Sequence, residues 1–227
     1  MKTSLALATL AFGALAMNSQ ATLVWTDWSV VNATTDVASG ILTTNGGAVG
    51  VSYVGDVSGG STGAGINYFR NGSNVPYAAY DALDAAPTTA DHVETTVAGT
   101  KTITFSQAVL NPIMAIISVG QPGVAITYSF NQAFTILDQG AGYWGSDPDG
   151  AQVSGNSFVG NEWHGVIQFS GAVTSITWNT NPNENWHGFQ IGADENLPTG
   201  AVPEPGTLAL MGLGLAGIAA AARRRKI

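Results

Sequence analysis

Two short segments of the chain have nearly the same sequence and carry side chains that could bind a ligand. Asn161–Phe169 reads NEWHGVIQF and Asn183–Ile191 reads NENWHGFQI. A tryptophan ring packs on the apolar face of a sugar, while carboxylate and imidazole groups hydrogen-bond to its hydroxyl edges. The pattern predicts a ligand site, with an aromatic platform added by a glycine-rich loop. Its candidate residues are Trp144, Glu162, Trp163, His164, Glu184, Trp186 and His187.

The same residues allow two other interpretations. Large aromatic residues are usually highly buried, so the sequence favours core positions at strand starts for Trp163 and Trp186. A glycosidase would need two carboxylates about 5 to 10 Å apart, which Glu162 and Glu184 would supply if the two segments lie side by side. Because a chain with this many acids offers many such pairs, we expect no enzymatic activity and keep glycan hydrolysis as the alternative.

Two aspartates lie in a tight Asp-Pro-Asp-Gly turn and are the only metal candidates that we retain. Calcium prefers several oxygen ligands, which Asp147 and Asp149 would begin to supply. The EF-hand pattern is not met, and aspartate commonly forms such turns through its own side chain. We therefore expect no metal or other cofactor, with calcium as the alternative.

The elements that position these residues read as strands. Several stretches alternate apolar and polar residues or are rich in β-branched residues, which is typical of half-buried strands. They are Ala48–Val54, Lys101–Phe105, Val124–Phe130, Phe134–Leu137, Gly165–Phe169 and Val173–Trp178. Ile113–Val119 is continuously apolar and predicts a strand buried on both faces. The pattern predicts an all-β body over residues 22–193, an antiparallel β-sandwich or jelly roll.

Between these strands the sequence predicts a short helix and two long loops. Ala78–Ala86 is rich in alanine and ends before a proline, which favours one or two helical turns. Ser58–Ala64 and Gly140–Gly155 read as loops because they are rich in glycine, serine and aspartate. With Val173–Trp178 as a strand between them, the two Trp-His segments are expected at the same end of neighbouring strands.

The distribution of charge excludes several classes of protein. Only 10% of residues are charged, against about 25% in a typical domain. Between Thr22 and Val202 the bases are Arg70 and Lys101 against fourteen acids, a net charge of −12. A nucleic-acid partner is therefore not expected, because binding phosphates needs clustered bases. The chain has no cysteine, which excludes thiol catalysis and thiolate metal sites.

The first 21 residues have the layout of a secretory signal peptide. Lys2 precedes the apolar run Leu5–Met17, and the small residues Ser19 and Ala21 stand three and one before a cleavage at Thr22. We expect cleavage by signal peptidase after Ala21.

The other end has three parts after a polar linker at residues 194–202. Pro203, Glu204 and Pro205 precede an apolar run, residues 207–222, which is predicted as a single transmembrane helix. Sixteen residues span about 24 Å, which is short for a hydrocarbon core of about 30 Å. A basic cluster then stops the span and stays cytoplasmic, so the body of the precursor faces the periplasm. Its residues are Arg223, Arg224, Arg225 and Lys226.

This tripartite tail resembles the PEP-CTERM sorting signal of Gram-negative bacteria. The likeness covers about the last 26 residues: Val202–Thr207, the span and the basic cluster, residues 203–227 forming the signal proper. It implies recognition by an exosortase, cleavage near Pro203-Glu204-Pro205, and display at the cell surface or release. These three residues would be substrate residues, not catalysts. The family's association with exopolysaccharide and biofilm production implies a structural or adhesive role. The expected partners are signal peptidase and exosortase as processing enzymes, the inner membrane transiently, and extracellular polysaccharide.

Overall fold

The computed structural model describes residues 22–83 and 86–196, and every regular element in them is a β-strand. The predicted signal peptide, transmembrane helix and sorting signal lie outside the described residues. The fifteen strands are β1 (Leu23–Trp25), β2 (Asp27–Asn32), β3 (Val37–Thr44), β4 (Gly47–Val54), β5 (Gly59–Ser61), β6 (His92–Thr95), β7 (Gly99–Leu110), β8 (Ile113–Val119), β9 (Ile126–Phe130), β10 (Phe134–Gln139), β11 (Gln152–Ser154), β12 (Ser157–Gly160), β13 (Trp163–Phe169), β14 (Ala172–Asn181) and β15 (His187–Asp194).

The strands form two antiparallel sheets that pack face to face. The first has the order β10-β13-β8-β15-β6-β5, with β1 also paired to β15. The second has the order β11-β12-β9-β14-β7-β4-β3-β2. The core between them is rich in aromatic rings, which contribute large buried areas. These are Trp28, Tyr53, Phe105, Tyr128, Phe130, Phe158, Trp163, Phe169, Trp178 and Phe189. The predicted antiparallel β-sandwich is confirmed.

The burial of β7 and β8 follows their sequence patterns. In β7, Ile103 and Phe105 are buried while Thr104 between them is exposed, as a period of two requires. Every residue of β8 is buried. Met114 and Ile116 face the core between the sheets, and the intervening positions face a second apolar cluster on the outer face of the first sheet.

This second cluster forms where two loops cover the outer face of the first sheet. Phe69, Ala79 and Tyr80 come from the segment 62–91, and they pack on Ile117 of β8 and Val166 of β13. Loop 140–150 joins this cover, since the backbone N–H of Ala79 donates to the carbonyl of residue 141 at 3.1 Å. β8 is therefore buried on both faces, as predicted.

The predicted helix at Ala78–Ala86 is wrong for its described part, where residues 78–83 form turns. Ala79 and Tyr80 are fully buried against the sheet, and the Tyr80 hydroxyl donates to the carbonyl of Ile116 at 2.9 Å. The N–H of Ala82 donates to Asp138 Oδ2 at 3.0 Å. Hydrogen bonds to the sheet thus replace those of a helix, and docking overrides the weak local propensity.

Two predicted loops contain short strands. β5 lies within Ser58–Ala64, and β11 lies within Gly140–Gly155. β5 reads GGS and β11 reads QVS, and three residues are too few to show a periodic apolar signal. Each strand obtains its order from pairing with a longer neighbour.

The sandwich also extends into the segment predicted as a linker. Asp194 ends β15, and the N–H of Glu195 donates to the carbonyl of Thr22 at 2.7 Å. Asn45 N–H donates in turn to the Glu195 carbonyl at 2.7 Å. The two ends of the body are therefore held together beside β1.

Candidate functional site

The two Trp-His segments begin strands of the same sheet, at the same end. β13 and β15 are each antiparallel to β8, which lies between them, so they run parallel to one another. They are not direct neighbours, and β14, which connects them in sequence, lies in the other sheet.

The side chains of the two segments point in opposite directions. Trp163 is 1% exposed and packs in the core on Phe158, with ring centroids 4.7 Å apart, while His164 faces the outer cover near Tyr80. In the second segment His187 faces the core, edge-on to Tyr128 at 5.5 Å, and Trp186 packs with the outer cluster.

This reversal follows from the spacing within each segment. Two apolar residues separate glycine from glutamine in the first segment, and one does so in the second. Because side chains alternate along a strand, one residue fewer reverses which of Trp and His faces the core. That difference was visible in the sequence, and it is the signal that separates Trp186 from Trp163.

A cleft of about 340 Å³ lies on the outer face of the first sheet, where these strands begin. We call it the aromatic cleft. Its lining residues come from the covering segment, loop 140–150 and the starts of β13 and β15. They are Tyr68, Ser118, Gln121, Trp144, Glu162, Glu184, Asn185 and Trp186.

Three aromatic rings from three different elements form the wall of the aromatic cleft. Trp144 stacks on Tyr68 with centroids 5.0 Å apart and an angle of 24°, and it meets Trp186 edge-on at 4.5 Å. Trp144 is still 45% exposed. It stands in a tight turn that the N–H of Gly142 closes on the carbonyl of Gly145 at 2.6 Å. The wall therefore offers an indole surface to solvent.

Glu162 is the most clearly positioned polar group of the aromatic cleft. Its Oε1 accepts hydrogen bonds from Ser118 Oγ at 2.7 Å and from His164 Nε2 at 3.2 Å. The Ser118 N–H donates to His164 Nδ1 at 3.2 Å, so the proton of a neutral His164 must lie on Nε2. Burial alone would raise the pKa of Glu162, but the bonds from His164 and Ser118 outweigh it and lower this pKa.

Backbone strain is concentrated at the same point. Among the described residues, five other than glycine have a positive φ, and three of them are aspartate or asparagine, which tolerate this region. The remaining two are Ser118, at φ 55°, and Glu162, at φ 73°. Such residues cost about 1 to 3 kcal/mol each and cluster at functional sites.

Glu184 lines the aromatic cleft, but its side chain is almost completely buried. Its Oε2 is 2.9 Å from His187 Nδ1, and both side chains are 1% exposed. Neither atom makes a well-directed hydrogen bond, so the contact is an electrostatic one. Glu162, whose side chain is 12% exposed, is therefore the more accessible of the two carboxylates.

A third glutamate–histidine pair lies beneath the aromatic wall. His92 Nδ1 lies 2.7 Å from the carbonyl oxygen of Ala90, and His92 Nε2 lies 2.9 Å from Glu94 Oε1. Hydrogen bonding from His92 lowers the pKa of Glu94, more than burial raises it. The His92 ring also meets Tyr68 edge-on at 5.1 Å.

The structure thus brings together four of the seven predicted ligand residues. Trp144, Glu162, Glu184 and Trp186 line the aromatic cleft. His164 and His187 stand behind the two glutamates, and Trp163 lies in the core, so we leave Trp163 out of the candidate site. Sequence reasoning missed Tyr68 and Ser118, because neither belongs to a motif.

In the Asp147–Asp149 turn, both carboxylate oxygens of Asp147 accept hydrogen bonds from the backbone. Asp147 Oδ1 accepts from the Asp149 N–H at 3.1 Å, and Oδ2 accepts from the Asn161 N–H at 2.8 Å. The turn thereby ties loop 140–150 to the residue before Glu162. Within residues 22–83 and 86–196, no three histidine, aspartate or glutamate residues are grouped as a metal site.

Comparison with known proteins defines the tail and leaves the sandwich unassigned. The described chain is a two-sheet antiparallel β-sandwich with an aromatic cleft. Residues 201–226 match the family model of the PEP-CTERM protein-sorting motif, which confirms the resemblance. That motif implies an exported protein, made as a membrane-anchored precursor and sorted by an exosortase. Searches of curated proteins and of solved structures give no match. The described residues include no helix capable of spanning a membrane.

Proposed function

We propose that the chain is an adhesive protein of the cell surface or extracellular matrix whose sandwich binds glycan in the aromatic cleft. The sorting motif supports export. The observation that carries the binding role is the half-exposed ring of Trp144, held by Tyr68 and Trp186 beside the carboxylate of Glu162. Ligand pockets combine such apolar faces with a few oriented polar groups, in volumes from about 300 Å³.

Binding is a better proposal than hydrolysis because the two carboxylates of the cleft are not equivalent. A glycosidase needs both groups at the scissile bond, one of them an acid with a raised pKa. The pKa of Glu162 is lowered, and the Glu184 side chain is 1% exposed. A fixed carboxylate acceptor and an aromatic platform suit retention of a sugar chain.

The test is a glycan-array screen of the full-length chain, followed by titration of each hit. We expect Trp144→Ala to weaken binding at least about fivefold, since stacking and cation–π contacts supply about 1 kcal/mol or more. Val153→Ala is the control, because Val153 is 52% exposed but lies on β11 at the far edge of the second sheet. Equal binding by both variants would contradict a site in the aromatic cleft.

The same hits decide between adhesion and catalysis. Each is incubated with the chain and assayed for new reducing ends, with Glu162→Gln as the matched variant. We expect no release above the buffer control. Turnover that Glu162→Gln abolishes would replace the adhesive role with glycan hydrolysis.

A further inference from the structure

The charged side chains that line the aromatic cleft are all acidic. They are Glu162 and Glu184, with the Glu94–His92 pair beneath the aromatic wall. The two lysine or arginine side chains in the described part of the chain both bind other groups, away from the aromatic cleft. Arg70 donates to the carbonyls of residues 74, 86 and 87, and Lys101 is buried on Asp56. An anionic sugar would therefore meet repulsion and no compensating cation.

The geometry suits a cationic group beside the rings. Glu162 takes both of its internal hydrogen bonds at Oε1, which leaves Oε2 outside that network. A cation bound there would share the aromatic cleft with Trp144 and Trp186, and aromatic ring faces attract positive charge within about 6 Å. An ammonium donor would also form a charge-assisted hydrogen bond, which is about twice as strong as a neutral one.

We propose, on the basis of the glycan-binding function proposed above, that the aromatic cleft selects sugars bearing a free, protonated amine over N-acetylated and acidic sugars. The ligand class is a polymer with de-N-acetylated hexosamine units. A hydroxyl in place of the amine keeps the stacking and loses the ionic contact. N-acetylation removes the charge and adds bulk at the position nearest Glu162.

The experiment compares three oligosaccharides of equal length by calorimetric titration of the full-length chain. They are a glucosamine oligomer, its fully N-acetylated form and an oligomer of uronic acid. We expect the amine form to bind at least tenfold more tightly than the N-acetylated form, and the uronic form to bind most weakly. Raising the pH above the pKa of the sugar amine removes the preference, because the amine loses its positive charge while Glu162 stays ionised.

Two variants locate the source of the preference. Glu162→Gln keeps the shape and the Oε1 acceptor but removes the charge, so the amine preference falls below threefold. Asp27→Asn removes one charge at an exposed position that lines a different cleft, and it leaves the preference unchanged. The pH series on the unsubstituted chain keeps the inference falsifiable if Glu162→Gln does not fold.

The outcomes separate this inference from the function on which it rests. If the amine and N-acetylated forms bind with equal affinity, and Trp144→Ala weakens the binding of both, the glycan site is retained and the amine selectivity is overturned. Tighter binding of the uronic oligomer overturns the selectivity as well. Binding of none of the three, with no other hit on the array, overturns both.

Discussion

Asp56→Asn should destabilise the sandwich by leaving a buried cation without its counterion. Lys101 is 1% exposed, and its Nζ lies 2.7 Å from Asp56 Oδ1. Nζ also donates to the carbonyl of Val97 at 2.7 Å and to Thr180 Oγ1 at 2.9 Å. Asp56 Oδ2 accepts from the N–H groups of Thr96 and Val97, each at 2.7 Å. The pair thus fixes the loop before β7 against the second sheet.

Removing one partner of a buried pair costs about 3 to 5 kcal/mol. The Asp56 side chain is 17% exposed, so water offsets part of the loss and we expect about 3 kcal/mol. For a domain of this size, 1 kcal/mol shifts the thermal midpoint by about 2 to 4 °C, so Asp56→Asn should melt about 6 to 12 °C lower. The assay is thermal unfolding followed by circular dichroism at pH 7.

The double variant Asp56→Asn/Lys101→Met provides the matched comparison. It removes the cation together with its partner, so it should be more stable than Asp56→Asn alone. A midpoint for Asp56→Asn within 2 °C of the unsubstituted chain would refute the reasoning, as would a double variant that melts lower than the single one.

The pH dependence of this contribution has a definite sign. Burial alone would raise the pKa of Asp56, but the bonds from Lys101 and from the backbone of Val97 and Thr96 outweigh it and lower this pKa. The stabilisation is therefore present above the unfolded pKa of aspartate, about 3.9, and is lost as the pH falls through the lower folded value. The difference in thermal midpoint between the unsubstituted chain and Asp56→Asn should therefore become smaller in strong acid.

Three further predictions concern the aromatic cleft and the core ring of Trp163. Trp163→Ala should lower stability by about 3 to 5 kcal/mol, whereas Trp144→Ala should change it by less than about 1 kcal/mol, measured by urea unfolding; the reverse order would contradict the placement of the two rings. Gly142→Ala should weaken ligand binding in titration, because a Cβ there would overlap the His164 ring that orients Glu162; unchanged affinity would contradict this. Ser118→Gly should melt about 2 to 4 °C above Ser118→Ala, since both lose the hydroxyl but only glycine relieves the positive φ; equal midpoints would show that Ser118 carries no strain.

The sequence predicts the sheets well because long strands carry their own periodic signal. Alternation in Lys101–Phe105 and the unbroken apolar run Ile113–Val119 reflect one buried face and two buried faces, respectively. The cover was harder to predict, because Ala79 and Tyr80 obtain their conformation from docking onto β8. Local residue types at 78–86 favour a helix, and only the tertiary contacts of the described part, residues 78–83, account for its turns.

The candidate site was predicted in part for a related reason. Residue type and repetition mark Glu162, Glu184 and Trp186, but Tyr68 reaches the aromatic cleft from a segment with no motif. Ser118 is hidden within an apolar run and acts through an unusual backbone conformation. Only one of the two similar Trp-His segments places its indole in the aromatic cleft. The choice depends on which side chains of the strand face the core, and a difference of one residue in spacing reverses it.

The bulge between β8 and β13 explains how a sandwich strand comes to hold a polar site. Trp163 pairs with Val119, and Gly165 pairs with Ile116, so β8 has one residue more than β13 over this interval. The irregular register turns the Ser118 N–H to His164 Nδ1. A regular ladder would instead pair such an N–H with a neighbouring carbonyl. The local backbone register therefore positions the polar groups of the site, and the Glu162 carboxylate is oriented without a bound ligand. Preorganisation of this kind reduces the entropy lost on binding, which would favour the proposed retention of a flexible glycan by a few contacts.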